Sequence, residues 1–180
     1  MSKSKAQAAP APKKLTDKEV SERNHAALAR VAEMDDPDKL RNLLANAARM
    51  GVAPVEEAAF RRLALVQTEA GEAEAGSVEH DFLQTIFAFE QLLREERGKA
   101  VRLTKTRTKF TKSGAIKALE SFAEVTGEMT GFDTLMARGL SDMTGEAVIL
   151  RHPDDFDAAT RDAATARLDA AKAGMATEDA

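Results

Sequence analysis

Cysteine, tryptophan and tyrosine are absent from this sequence. Without cysteine, the chain has no disulfide, no thiolate ligand for zinc and no thiol nucleophile. The three histidines, His25, His80 and His152, lie far apart, and none has a second histidine four residues away. A metal site built on them would need carboxylates to complete it. We therefore expect neither a bound metal nor a cofactor.

Long apolar runs are missing as well. No stretch approaches the roughly 18 to 20 apolar residues that a membrane-spanning helix needs, and the first 14 residues lack the apolar centre of a signal peptide. The short motifs of phosphate-binding loops, dinucleotide sites, zinc proteases and serine hydrolases do not occur. We expect a cytoplasmic protein that is not an enzyme and does not interact with membranes.

Helical periodicity runs through most of the chain and predicts an all-α protein. Thr16 and Glu19 have the spacing of a capping box at the start of a first helix. Pro37 and Pro54 suit the first turn of the next two helices, since proline has no amide hydrogen to leave unpaired there. Ser77 is the expected cap of a fourth, strongly amphipathic helix.

The second half of the chain has fewer clear signals. Gly98 is expected to end the fourth helix, and Ser113 to cap the next one. The apolar run at 148–150 is expected to form a helical turn, because no other segment favours a strand that would pair with it. The last helix is predicted in segment 153–174, and four of its residues are expected to face inward: Phe156, Ala159, Ala163 and Leu168.

These signals predict two small helical lobes joined by a short linker. Residues 16–70 form the N-terminal three-helix lobe, and residues 77–174 form the C-terminal helical lobe. The linker is the GEAEAGS stretch at 71–77. Residues 1–15 are rich in lysine, alanine and proline without periodicity, so we expect a disordered cationic arm.

Charge is distributed very unevenly along the chain. The formal net charge is −4, yet residues 97–117 contain eight basic residues and no acidic one. We call residues 97–117 the basic segment. If it is helical, its cations form a stripe on one face; if it is extended, lysine and arginine alternate with threonine. Either conformation places several cations side by side, so an anion is expected nearby.

We interpret the basic segment as a binding site for the phosphate backbone of nucleic acid, DNA or RNA, in a regulatory or accessory protein. Lys13 and Lys14 of the arm are expected to assist. Phe110 is the only aromatic residue of the segment, which disfavours recognition by base stacking. The expected contacts are the eight cations of the segment: Arg97, Lys99, Arg102, Lys105, Arg107, Lys109, Lys112 and Lys117.

Three alternatives remain open. In the first, the flanking acidic regions of the chain neutralise the cations of the basic segment. In the second, the protein is a helical adaptor that docks an acidic protein partner, and a homodimer is also allowed. A small hydrolase would require carboxylates to converge in a cleft with a basic wall. His80 and its neighbours Glu79 and Asp81 are not expected to form such a group, since adjacent side chains on a helix diverge. His80 itself is expected at the surface.

Overall fold

The computed structural model describes residues 16–124 and 130–178, and within these ranges the chain forms helices and no strand. The predicted all-α class is therefore confirmed. The arm at 1–15, with Lys13 and Lys14, lies outside the described residues. The α-helices, in chain order, are α1 (Asp17–Glu33), α2 (Pro37–Met50), α3 (Ala53–Glu69), α4 (Val78–Arg97), α5 (Thr104–Ala123), α6 (Thr130–Ala137), α7 (Gly145–Arg151) and α8 (Ala158–Glu178), and a 3-10 turn covers Ser141–Met143.

Local sequence signals set most helix ends. The Thr16 hydroxyl accepts from the Glu19 amide while the Glu19 carboxylate accepts from the Thr16 amide, so the predicted capping box is confirmed. Ser77 accepts from the His80 amide at the start of α4. Gly98 ends α4 with φ of 65°, a left-handed conformation that glycine adopts without steric strain.

The first hydrophobic core lies between α1, α2, α3 and the middle of α4. Ala88 and Leu92 of α4 pack against buried residues of the first three helices, so this core crosses the boundary between the predicted lobes. Residues 71–77 are non-helical, and the division into two lobes with this segment as the linker stays a prediction. The core residues of the first three helices are Val31, Leu40, Leu44, Ala59, Phe60, Leu63, Ala64 and Val66.

The second core fixes the position of the basic segment. It is formed by the first half of α4 with α5, α7 and the start of α8. The Phe82 ring of α4 contacts Phe110 and Phe122 of α5, with ring centroids 5.8 Å and 6.1 Å apart. Leu103 and Phe110 pack at the edge of this core. These apolar contacts hold α5 against α4 and leave the other face of α5 available to solvent.

Some predictions for the C-terminal half are confirmed and some are wrong. The run at 148–150 lies in helix α7, as expected. Phe156 and Leu168 are buried as expected, but Ala159 and Ala163 are exposed. The reason is that α8 begins only at Ala158, where the Asp157 carboxylate accepts from the Thr160 amide, so the buried stripe continues through Ala164 instead.

Candidate nucleic-acid interface

The stretch of the basic segment in which threonine alternates with lysine and arginine is helical, so the extended alternative is wrong for it. Arg97 is the last residue of α4, and residues 98–103 form a non-helical connection to α5. From Thr104 the chain is helical, except at Gly114, where φ of 80° and ψ of 168° interrupt the helix. The predicted cations therefore lie on three pieces of structure: the end of α4, the connection and helix α5.

Arg107 is held by an acidic residue of α4. Its Nε and Nη2 atoms donate to the two carboxylate oxygens of Glu90, each at 2.7 Å, and its guanidinium lies 4.6 Å from the centre of the Phe87 ring. The amide of Leu103 donates to the same carboxylate at 2.8 Å. Glu90 thus ties the connection and the first turn of α5 to α4. Arg107 is a structural residue in this arrangement, although the sequence placed it among the phosphate contacts.

Lys109 is also partly engaged. Its Nζ atom lies 5.1 Å from the centre of the Phe122 ring, in the range of a cation–π contact, and its side chain is half-buried. The ammonium group keeps its charge but is directed towards the protein. Lys109 therefore belongs with Arg107 among the cations that the fold uses internally.

The other six predicted cations are exposed. None of them forms an ion pair with any residue in the described ranges. Neutralisation by the protein's own acidic residues therefore applies, within the described ranges, to Arg107 and to no other cation of the basic segment. The exposed set is Arg97, Lys99, Arg102, Lys105, Lys112 and Lys117.

Three of these exposed cations meet around one open groove of about 730 Å³. We call it the cation groove. Arg97 comes from the end of α4, Arg102 from the connection and Lys105 from the first turn of α5. The remaining lining is partly hydroxyl-bearing and partly apolar: Thr104, Thr106, Thr130, Phe89, Leu93, Val101 and Leu103. Leu93 is buried and Phe89 half-buried, so the apolar groups lie deeper than the cations.

A second open groove, of about 410 Å³, lies on the other side of the connection. Val101 and Arg102 line both grooves, so the two surfaces meet at these residues. The second groove contains two arginines that sequence reasoning missed, Arg41 of α2 and Arg94 of α4. Arg94 stands three residues before the basic segment, so a wider charge window would have included it. Arg41 is distant in sequence, and no local signal indicates it.

A third open cavity, of about 460 Å³, is lined by α1, α3, α4 and α7 with the 3-10 turn, and its lining includes two carboxylates, Asp81 and Asp142. Asp142 accepts from Arg61 Nη2 at 3.0 Å, and Asp81 lies 3.1 Å from Arg151 Nη1. Burial would raise the pKa of Asp142, but the hydrogen bonds and charge of Arg61 hold it below its usual value. Both acids are thus paired with arginine. In the part of the chain that the structure describes, no group of three or more metal-ligating side chains occurs.

The surroundings of Asp81 also correct one prediction. His80 is 6% exposed, so the expected surface position is wrong. Its Nδ1 atom lies 3.5 Å from Asp81 Oδ1 but forms no hydrogen bond, whereas His152 Nε2 lies 3.0 Å from Asp81 Oδ2. The sequence did not indicate the contact with His152, because it depends on the packing of the C-terminal end of α7 against the first turn of α4.

Comparisons with known proteins add no further information on function. No protein-family model, curated protein or solved structure matches this chain. Among the described helices, none is both long and apolar enough to cross a membrane. A functional assignment therefore depends on the geometry and charge of the grooves.

Proposed function

We propose that this protein is a non-enzymatic, cytoplasmic regulatory or accessory protein that binds the phosphate backbone of nucleic acid in the cation groove. The observation that supports this most directly is the convergence of Arg97, Arg102 and Lys105. They come from three successive pieces of structure, they are exposed, and none is paired with an acid of the described chain. Like charges gathered in this way repel each other unless an external anion binds between them.

The start of helix α5 adds to the positive potential of the groove. The first turn of α5 contains no acidic residue, and the Glu90 carboxylate of α4 accepts from the amide of its N-cap residue, Leu103. The amide end of a helix carries a partial positive charge that favours anions. The hydroxyl of Thr106 is a suitable donor to phosphate oxygens, while that of Thr104 donates to the Arg102 carbonyl at 3.5 Å. Charge and hydrogen-bond donors are thus present in the same place.

Affinity measured across a salt series tests the proposal. Fluorescence anisotropy with labelled single-stranded and duplex oligonucleotides gives the dissociation constant at each salt concentration. If three phosphates are neutralised, the logarithm of the affinity constant falls against the logarithm of salt with a slope of about −2 for a single strand and about −3 for a duplex. A slope near zero with both probes would contradict the proposal.

A matched pair of triple variants locates the contact. The groove variant replaces Arg97, Arg102 and Lys105 by alanine and is expected to lose most of the salt dependence, because the phosphate contacts are gone. The control variant removes the same charge from exposed cations on α1 and α2: Arg23, Arg30 and Arg49. The control is expected to bind as the wild type does. Equal losses in both variants would mean that net charge, rather than the groove, attracts the nucleic acid.

The adaptor alternative predicts a different result in the same assay. An acidic protein partner would be represented by labelled poly-glutamate, which carries charge without phosphate or base. If poly-glutamate binds, the groove variant abolishes that binding, and neither oligonucleotide binds, the groove is a docking site for acidic protein and the nucleic-acid proposal is overturned.

A further inference from the structure

A small cavity lies directly behind the cation groove. Its volume is about 150 Å³, and it is lined by residues of α4, α5, α6 and α7. Phe89, Leu103 and Thr106 line both the cavity and the groove, so these three side chains form the partition between them. An occupant of the groove is thus one side-chain layer away from the cavity.

The lining of this cavity suits a flat ring. Four phenylalanines contribute to it, namely Phe82, Phe89, Phe122 and Phe132. The Phe82 and Phe122 rings are tilted by 59° to each other. Lys109 lies over one face of the Phe122 ring and Arg167 over one face of the Phe132 ring, so a bound ring would contact the opposite faces or the edges. Sequence reasoning disfavoured stacking because Phe110 is the only ring in the basic segment, but the fold brings Phe89 of α4 to the same groove.

One buried acid gives the cavity a polar end. Glu146 of α7 is 3% exposed, and its Oε1 accepts from Arg167 Nη1 at 3.0 Å. Burial raises the pKa of Glu146 above its usual value, against the opposing effect of Arg167. The hydroxyl of Thr85 is already used, since it donates to the Asp81 carbonyl at 3.2 Å. Glu146 is the acidic residue of the lining, and a carboxylate oxygen is an acceptor for ring N–H groups.

The size of the cavity discriminates between ring systems. Apolar cavities of about 150 Å³ bind benzene, so the volume matches a six-membered ring more closely than a fused two-ring purine. Cytosine presents an exocyclic N4 amine, and uracil and thymine present an N3–H group. A carboxylate accepts hydrogen bonds from such donors, as glutamate does from cytosine N4 in DNA recognition. The dimensions favour a pyrimidine, and the Glu146 carboxylate is placed to accept a hydrogen bond from its N–H group.

We propose that the cavity receives one pyrimidine base of a single strand whose phosphates lie on Arg97, Arg102 and Lys105. The base is unstacked from its neighbours, passes Phe89 and is held between phenylalanine rings with an N–H group on Glu146. This inference rests on the function proposed above. A free pyrimidine nucleotide offers the same base and phosphate, so the test below separates that source from a strand.

The first measurement compares oligonucleotides of equal length at one salt concentration. Oligo-dC and oligo-dT are expected to bind about tenfold more tightly than oligo-dA, because only pyrimidines gain the buried ring contacts. For a strand short enough to bind in one register, an oligo-dC with a single abasic position at its centre is expected to bind more weakly than the intact oligo-dC. Cytidine 5′-monophosphate is expected to bind far more weakly than the strand, since it engages fewer cations. Equal affinity of the mononucleotide and the strand would overturn the assignment to a single strand.

The second measurement observes the base itself. A strand with one 5-fluorocytosine is expected to show a shifted ¹⁹F resonance on binding, as the ring leaves water for an aromatic environment. Thr85→Leu places a larger side chain in the cavity but not in the groove, and it is expected to abolish the shift and the pyrimidine preference. Glu146→Gln, which is nearly isosteric, is expected to reduce the preference without blocking entry. An unshifted resonance in the wild-type complex would overturn the inference.

The two proposals fail in distinguishable ways. If all strands bind with equal affinity and retain the salt slope, the groove contacts phosphate and no base enters the cavity. If no strand binds at any salt concentration, the phosphate proposal itself is overturned, and the inference falls with it. Thermal unfolding of Thr85→Leu and Glu146→Gln is measured alongside, so that a loss of binding is assigned to the cavity only where the variant is folded.

Discussion

Two regions of this molecule each gather three cations, and they differ in what surrounds those cations. In the cation groove, Arg97, Arg102 and Lys105 have no acidic partner in the described chain. In the cavity of about 460 Å³ beside α1, which we call the paired-arginine cavity, the three cations each contact a carboxylate. The pairs there are Arg61 with Asp142, Arg62 with Glu69 and Arg151 with Asp81.

The comparison teaches that pairing, and not the number of cations, separates a structural cluster from a candidate binding surface. A cation that already holds a carboxylate gains little from an external phosphate, because it must first lose its partner. Arg107 illustrates the point, since it lies within the basic segment but is paired with Glu90. Arg107 therefore resembles the three arginines of the paired-arginine cavity, each of which contacts a carboxylate.

The largest loss of stability is expected from Arg107→Met. The Arg107 and Glu90 side chains are 16% and 12% exposed, so removing one partner leaves a mostly buried carboxylate without its counter-charge. Breaking such a pair costs about 3 kcal/mol. Urea denaturation followed by circular dichroism measures the free energy of unfolding. Lys105→Met is the control, since Lys105 is exposed and has no partner among the described acids. A similar loss in both variants would remove the distinction between the two classes of cation.

A smaller loss is expected from Arg61→Ala in the paired-arginine cavity. Arg61 contacts both Asp142 and Glu57, but its side chain is 33% exposed and that of Asp142 is 62% exposed, so solvent screens the pairs. The expected loss is about 1 kcal/mol. A double-mutant cycle with Asp142→Ala isolates the interaction between these two residues. A coupling energy near zero would show that the contact contributes nothing to folding.

A pH-dependent effect is expected at Glu146. Because its folded-state pKa is raised, the folded protein binds the proton more tightly than the unfolded chain. This contribution to stability is full below the unfolded pKa and is lost as the pH rises through the folded one. Glu146→Gln lacks this titration, so its stability relative to the wild type is expected to increase as the pH rises above the unfolded glutamate pKa of about 4.3. The opposite trend in urea denaturation would mean that Arg167 outweighs burial.

Local signals in the sequence were sufficient for several helix ends but not for the start of α5, which begins at Thr104 and is not capped by Ser113, nor for the contacts between helices. Helix ends depend on residues within about four positions of each other, so the sequence alone indicates them. Examples are the capping box at Thr16, the cap at Ser77 and the glycine that ends α4, Gly98. The partner of Arg107 is 17 residues away, and Arg41 reaches the second groove from α2. Such contacts depend on how the helices pack, which periodicity does not specify.

The candidate site also depends on contacts between helices that the sequence does not specify. The charge pattern indicated where the cations are concentrated, and six of the eight are indeed exposed. The pattern did not indicate that Arg97, Arg102 and Lys105 share a groove, because a glycine stop and a non-helical connection separate them. The cavity behind the groove was invisible for the same reason: its four phenylalanines come from three different helices.

The smallest change in stability is expected for the groove triple variant, in which Arg97, Arg102 and Lys105 are replaced by alanine. These side chains are exposed and make no ion pair within the described chain, so their removal is expected to change the free energy of unfolding by no more than about 0.5 kcal/mol. At low salt the variant is expected to be slightly more stable than the wild type, because the repulsion among three neighbouring cations is removed. Added salt is expected to abolish this difference in stability. Urea denaturation at two salt concentrations measures both effects. A loss comparable to that of Arg107→Met would mean that the fold itself uses these cations, and the contrast between the two regions would not hold.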